Sequence, residues 1–209
     1  MISFKDIRAF VKEQDQYIDS GHGLSHCEDV LAIVLKNIAF IGSIYGITED
    51  RIIVIMTAAC LLHEAYDRKR LQPCNIDQMK DAMVKDGLTN EEIEIVDWLI
   101  SYCSFSKQKQ EGRRKPEMAK YEKMMQLLCS ADLVEAVNEK TLDRSYAYHK
   151  VHLLKKTGKE PSEEECWRGV YLFYNDPNDG FYPRVKAITV AEIYDSLVPT
   201  LEKTKEKMN

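Results

Sequence analysis

Apolar side chains recur three and four residues apart along most of this chain, the spacing of α-helices packed by one face. Over residues 4–18, Phe4, Ile7, Phe10, Val11, Tyr17 and Ile18 gather near one face, and Ser3 stands where an N-cap belongs. After Ser20-Gly21-His22-Gly23 a long helix is predicted from Leu24 to Tyr45, with Gly46 just past its end. Thr48 precedes a helix predicted over Glu49–Tyr66, whose stretch IIVIMTAACLL is apolar nearly all round. A helix of that kind is central and buried. Its β-branched run Ile52–Ile55 has strand character, but the apolar stretch is too long for one and passes into Ala58, Ala59 and Leu61.

The remaining pattern is also helical. Pro73 marks a loop, Asn75 caps a short helix to Lys85, and Gly87 ends it. Thr89-Asn90-Glu91-Glu92 has the form of a capping box and opens a helix over Asn90–Tyr102. Residues 104–115, SFSKQKQEGRRK, have no periodicity and read as an exposed loop. Pro116 suits the first position of a helix to about Val137. A further helix spans about Leu142–Lys156 before Gly158, and Ser162–Glu165 forms a second capping box for a helix to about Tyr174. Asn175–Gly180 is a turn. The last helix starts near Pro183, with Pro199 as a candidate break. No alternating strand pattern, repeat or linker is present. The reading is a single all-α domain, residues 1–209, of eight or nine helices.

Composition narrows the function. Of 209 residues, 44% are hydrophobic and 30% charged, as in a soluble globular protein. The net charge of -5 excludes a surface built for non-specific nucleic-acid binding. A phosphate-bearing substrate would then need a metal or a local basic patch. The first residues are too charged for a signal core, and the apolar stretch Val30–Ile44 is interrupted by Lys36 and Asn37. A soluble, intracellular, cytoplasmic protein with no membrane partner is expected. The six cysteines are widely spaced, without a CxxC, and read as reduced thiols.

Three places carry metal-ligand side chains. His22 and His26 flank a helix start, His63-Glu64 ends the most apolar helix, and Asp132 follows the inward run Met124, Met125, Leu127, Leu128 and Cys129. Taken singly, each has an ordinary reading as a capping, terminal or ion-paired residue. Together they place imidazoles and carboxylates on three separate helices, two of them largely apolar. A divalent cation would offset the cost of burying them.

This ordered set resembles the HD-domain metal-dependent phosphohydrolase superfamily, and within it the small bacterial-type hydrolases. In those, HDxxHxxRV opens the second helix and AAxLHD ends the third; an HSFS-like segment and DADRLDA follow. The corresponding segments here are His22–Val30, Ala58-Ala59-Cys60-Leu61-Leu62-His63-Glu64, Cys103-Ser104-Phe105-Ser106 and Ser130–Ala136. The likeness covers about residues 20–140, leaving C-terminal helices 141–209 without a matching motif. It implies an all-α fold and a divalent ion (Mn, Mg, Fe, Co, Ni or Zn) held by His26, His63, Glu64 and Asp132. Glu64 and Asp132 would be the catalytic carboxylates. The implied activity is hydrolysis of a phosphate ester or nucleotide, a small-molecule substrate, by metal-activated water.

The departures are specific. Glu64 stands for the motif Asp and is one methylene longer, Gly23 for an Asp, Asp29 for an Arg, Cys103 for a His and Ser130 for an Asp. They leave two readings: a site retuned to another substrate or metal, or a catalytically decayed module that binds a nucleotide, metal or protein partner. Candidates to meet a substrate phosphate are His22, Arg68, Lys69, Arg113 and Arg114, the arginines for their match to phosphate geometry. Asp67, Glu28 and Glu135 are candidate supports for ligand side chains. His149 and His152, three apart on a helix, read as surface or packing residues.

Overall fold

The computed structural model describes residues 3–17, 22–66, 71–103, 116–135, 139–175, 187–188 and 190–208. Among them are nine α-helices: α1 Lys5–Gln14, α2 Leu24–Lys36, α3 Glu49–Leu62, α4 Ile76–Lys85, α5 Asn90–Tyr102, α6 Glu122–Glu135, α7 Glu139–Thr157, α8 Glu163–Asn175 and α9 Val190–Met208. Short 3-10 turns cover Asp15–Tyr17, Ile38–Phe40, His63–Tyr66 and Pro116–Tyr121. The described residues contain no strand, only a single bridge between Ile44 and Ile47, so the class is all-α. No helix among them is long and apolar enough to cross a membrane.

Backbone contacts divide the chain into two compact units, 1–131 and 132–209. The division falls inside α6; Asp132 is the next residue of a helix whose preceding turns belong to the first unit. In the first unit α3 packs against α1, α2 and α5, and α1 also packs against α4. The nearly all-round apolar character of α3 explains its place. Ile55, Met56, Ala58, Ala59, Cys60, Leu61 and Leu62 are all essentially inaccessible to solvent. In the second unit α8 packs between α7 and α9.

Local chemistry sets the helix limits. Both expected capping boxes form: Thr89 with Glu92, and Ser162 with Glu165. Asn75 accepts from the Gln78 amide at 3.2 Å, and Gly87 and Gly158 take positive φ just past α4 and α7. Other expectations need correcting. The helix predicted from Leu24 to Tyr45 stops at Lys36, because Asn37 leaves helical geometry and its Nδ2 donates to the Ile33 carbonyl at 3.0 Å, a local bond that competes with the helix. The helix predicted to Tyr66 tightens into a 3-10 turn at His63. Pro116 begins a 3-10 turn rather than α6 itself.

Ser3 is not the cap of α1. Phe4 holds that position with φ 52° and no capping side chain. Asp86 caps α1 from the far end of α4, accepting from the Ile7 amide at 2.8 Å and the Asp6 amide at 3.4 Å. Pro199 does not break the last helix, which runs through it. The predicted loop 104–115, most of the turn after Asn175, and the predicted start near Pro183 lie outside the described residues.

Candidate metal centre

His26 is the third residue of α2, an early-turn position that α2 turns inward with its buried face of Cys27, Val30, Leu31 and Val34. His63 and Glu64 occupy the 3-10 turn that ends the buried α3. Asp132 lies one turn from the end of α6 and is half-buried. The other three are 6–8% exposed. One ligand atom from each of the four lies within 4.8 Å of every other.

The hydrogen bonds fix much of the chemistry. His63 Nδ1 is 2.7 Å from the Cys60 carbonyl oxygen, three residues back in α3. A carbonyl only accepts, so Nδ1 carries the proton, and in neutral His63 the lone pair is on Nε2. The same bond satisfies a terminal carbonyl of the helix. Nε2 of His63 faces Nε2 of His26 at 3.0 Å. Glu64 Oε1 lies 3.4 Å from the first of these imidazoles, that of His26, and 3.5 Å from that of His63. Two imidazoles and two carboxylates therefore converge in largely buried space.

This donor set fits a divalent ion. Ligand bonds of about 2.0–2.2 Å put opposite ligand atoms roughly 4.0–4.4 Å apart, close to the span of this cluster. Mixed imidazole and carboxylate ligands suit borderline first-row divalent ions. An ion here would also compensate the buried carboxylate of Glu64 and the half-buried one of Asp132.

The other sequence candidates divide into three groups. His22 is near the cluster, half-buried, its ring centroid 5.7 Å from that of His26 in an edge-on arrangement. Asp67, Arg68, Lys69, Arg113 and Arg114 lie outside the described residues. Glu28 is engaged elsewhere, with Arg8 at 2.7 Å. Cys103 is buried, and its carbonyl accepts from the Cys129 thiol at 3.3 Å. His149 and His152 belong to the second unit. His149 packs against Phe173 and Gly169, and His152 stacks with Tyr148. Burial, with a smaller contribution from His152, lowers the His149 pKa, as expected of a packing residue.

Two features near the cluster had no sequence signal. The Tyr66 hydroxyl donates to Asp97 on α5 at 2.6 Å. Burial, and then this bond, push its pKa well above the ordinary phenol value. It ties the turn carrying His63 and Glu64 to α5. A small recess beside Glu64 is walled by Phe10, Val11, Leu61, Leu62 and Ala65, with Gln14 the only other polar lining residue among those described. Both features join residues distant in sequence, and only a three-dimensional contact could have revealed them.

Comparison with known proteins gave no match to this chain among protein-family descriptions, curated proteins or solved structures.

Proposed function

We propose that this chain is a metal-dependent phosphohydrolase of the HD type, acting on a small phosphate ester or nucleotide. The observation that carries the reading is the convergence of His26, His63, Glu64 and Asp132, the residues singled out by three of the four ordered motifs, within 4.8 Å. A bound divalent ion supplies a Lewis acid for a phosphoryl oxygen and acidifies water for attack. The chain supplies the rest. The bond between His63 and Cys60 holds one imidazole with its Nε2 lone pair inward. The side chains of Phe10, Val11, Leu61, Leu62 and Ala65 give Glu64 an apolar wall on one side. Glu64 or Asp132 takes the proton of the attacking water as the new phosphorus–oxygen bond forms and the ester bond breaks. The same carboxyl then gives that proton to the leaving oxygen, which departs as the alcohol and leaves inorganic phosphate. His22, whose ring lies edge-on to that of His26 at 5.7 Å, is assigned to meet the substrate phosphate.

The test is turnover of a panel of nucleotides and simple phosphate monoesters with Mn, Mg, Fe, Co, Ni and Zn supplied in turn. Wild type is expected to release phosphate with at least one pair, and Asp132→Ala to release none above background. Equal rates in the two proteins across the panel would reject the enzyme. Stoichiometric metal without turnover would favour the binding module.

A further inference from the structure

The start of α2 has an unusual cap. Its N-cap residue is Gly23, which has no side chain to satisfy the free amides of the first turn. Asp15, in the 3-10 turn that follows α1, takes over. Its Oδ1 accepts from the Leu24 amide at 3.0 Å. The backbone of Gly23 does not demand glycine, since its φ of -81° with ψ of -169° is an extended conformation open to any residue. The reason for glycine is space. A Cβ at position 23 would lie 2.9 Å from Asp15 Oδ1, 3.2 Å from its Cγ and 3.4 Å from Oδ2. The carboxylate thus lies against the bare Cα of Gly23, and a Cβ there would push it from the position in which it meets the Leu24 amide.

His26 is two residues beyond Leu24 in this first turn, and its ring faces His63 at 3.0 Å. A tilt of that turn moves the ring directly. Asp15 is itself anchored, for its amide continues α1 by bonding to the Lys12 carbonyl, and α1 is capped by Asp86 and packed on α3. A carboxylate at a helix start also interacts favourably with the helix dipole. We propose that Asp15 is a positioning residue for the metal centre: it fixes the first turn of α2, and through it the His26 imidazole, and Gly23 is glycine to admit it. The role of His26 as a ligand rests on the metal reading above.

The experiment uses the full chain with Asp15→Ala, Asp15→Asn, Gly23→Ala, the double variant Asp15→Ala with Gly23→Ala, and Asp15→Ala with Gly23→Asp. Cobalt(II) titration followed by visible absorption gives affinity and ligand geometry. The ring-nitrogen chemical shifts of His26 are recorded without metal, and thermal unfolding reports stability separately. Asp15→Ala and Gly23→Ala should each weaken cobalt binding by about tenfold or more, the usual effect of losing support to a ligand, and move the His26 shifts. The double variant should be no worse than either single one, because both remove the same contact. Asp15→Asn keeps an acceptor oxygen and should retain most of the affinity. A side-chain cap restored at position 23 in the Asp15→Ala background should recover part of it. Unchanged cobalt affinity and unmoved His26 shifts in Asp15→Ala and Gly23→Ala, whatever their stability, would overturn the inference. So would additive losses. Should Asp15→Ala not fold, Asp15→Asn and Gly23→Ala carry the same comparison. If wild type takes up neither cobalt nor any of Mn, Mg, Fe, Ni and Zn, the metal reading fails on its own. The metal-free His26 shifts then decide the role of Asp15: movement supports it and constancy rejects it.

Discussion

The Nε2 atoms of His26 and His63 face each other at 3.0 Å, while Nδ1 of His63 is held by the Cys60 carbonyl at 2.7 Å. With the His63 proton fixed on Nδ1, its Nε2 lone pair points at the other ring and at Glu64. A divalent ion at that point would bind the folded chain and leave the unfolded chain largely alone. Its binding should therefore raise the unfolding temperature, by the equivalent of about 2.7 kcal/mol at a hundredfold excess over the dissociation constant. Calorimetry with Mn, Fe, Co, Ni and Zn should show this rise for wild type, and chelation should reverse it. His63→Ala should not respond. A wild-type midpoint indifferent to every ion would remove the site.

Glu64 reaches both imidazoles with one oxygen, at 3.4 and 3.5 Å. Glu64→Asp withdraws that carboxylate by about one carbon–carbon bond, ~1.5 Å. If the centre is built around glutamate, the variant should bind metal about tenfold more weakly or worse and lose turnover in step. Isothermal titration and the phosphate-release assay measure the two losses. A gain of activity with aspartate would instead mark this centre as one that has decayed from an aspartate site.

Asp86 contributes to stability at a distance. It is only 7% exposed and accepts from the Ile7 and Asp6 amides, which the α1 N-cap residue Phe4 cannot satisfy with its own side chain. Asp86→Ala should destabilise the chain by about 1–2 kcal/mol, as for other lost caps. Asp86→Asn, which keeps an acceptor, should lose less. Urea unfolding measures both, and equal stability of all three proteins would show that water replaces the carboxylate without cost.

The elements that could be read in advance were those encoded within a few residues. The capping boxes at Thr89 and Ser162 and the apolar face of α3 depend on neighbours three or four positions away. The four ligand candidates were named from the likeness of ordered segments to the HD superfamily, and their side chains do come together within 4.8 Å. What was not legible depends on partners far along the chain. Asp86 caps α1 across 79 residues, and Tyr66 bonds to Asp97 across 31. The end of α2 failed for a different reason. Apolar residues continue past Asn37, so periodicity alone extends the helix, whereas Asn37 takes φ -107° and ψ 13°, outside the helical region, with its side chain on the Ile33 carbonyl. Gly23 looked like a missing motif residue, yet its lack of a side chain makes room for the Asp15 carboxylate.

Glu92 predicts an acid limit to stability. Burial alone would raise its pKa, but hydrogen bonds from Arg51 and from the Thr89 amide and hydroxyl outweigh burial and hold it below the usual range. A carboxyl with a lowered folded pKa stabilises the fold fully above its unfolded pKa, about 4.3 for Glu. That contribution is lost as pH falls through the lower, folded value. The difference in unfolding free energy between wild type and Glu92→Gln should therefore be constant from about pH 7 to 5 and shrink below about pH 4.3. Once protonated, the glutamate can no longer offer Arg51 a charge, and it resembles the amide that replaced it. Denaturant unfolding across this range measures the difference. A gap that stays constant to the lowest accessible pH would show that the ion pair of Glu92 with Arg51 adds nothing that titrates.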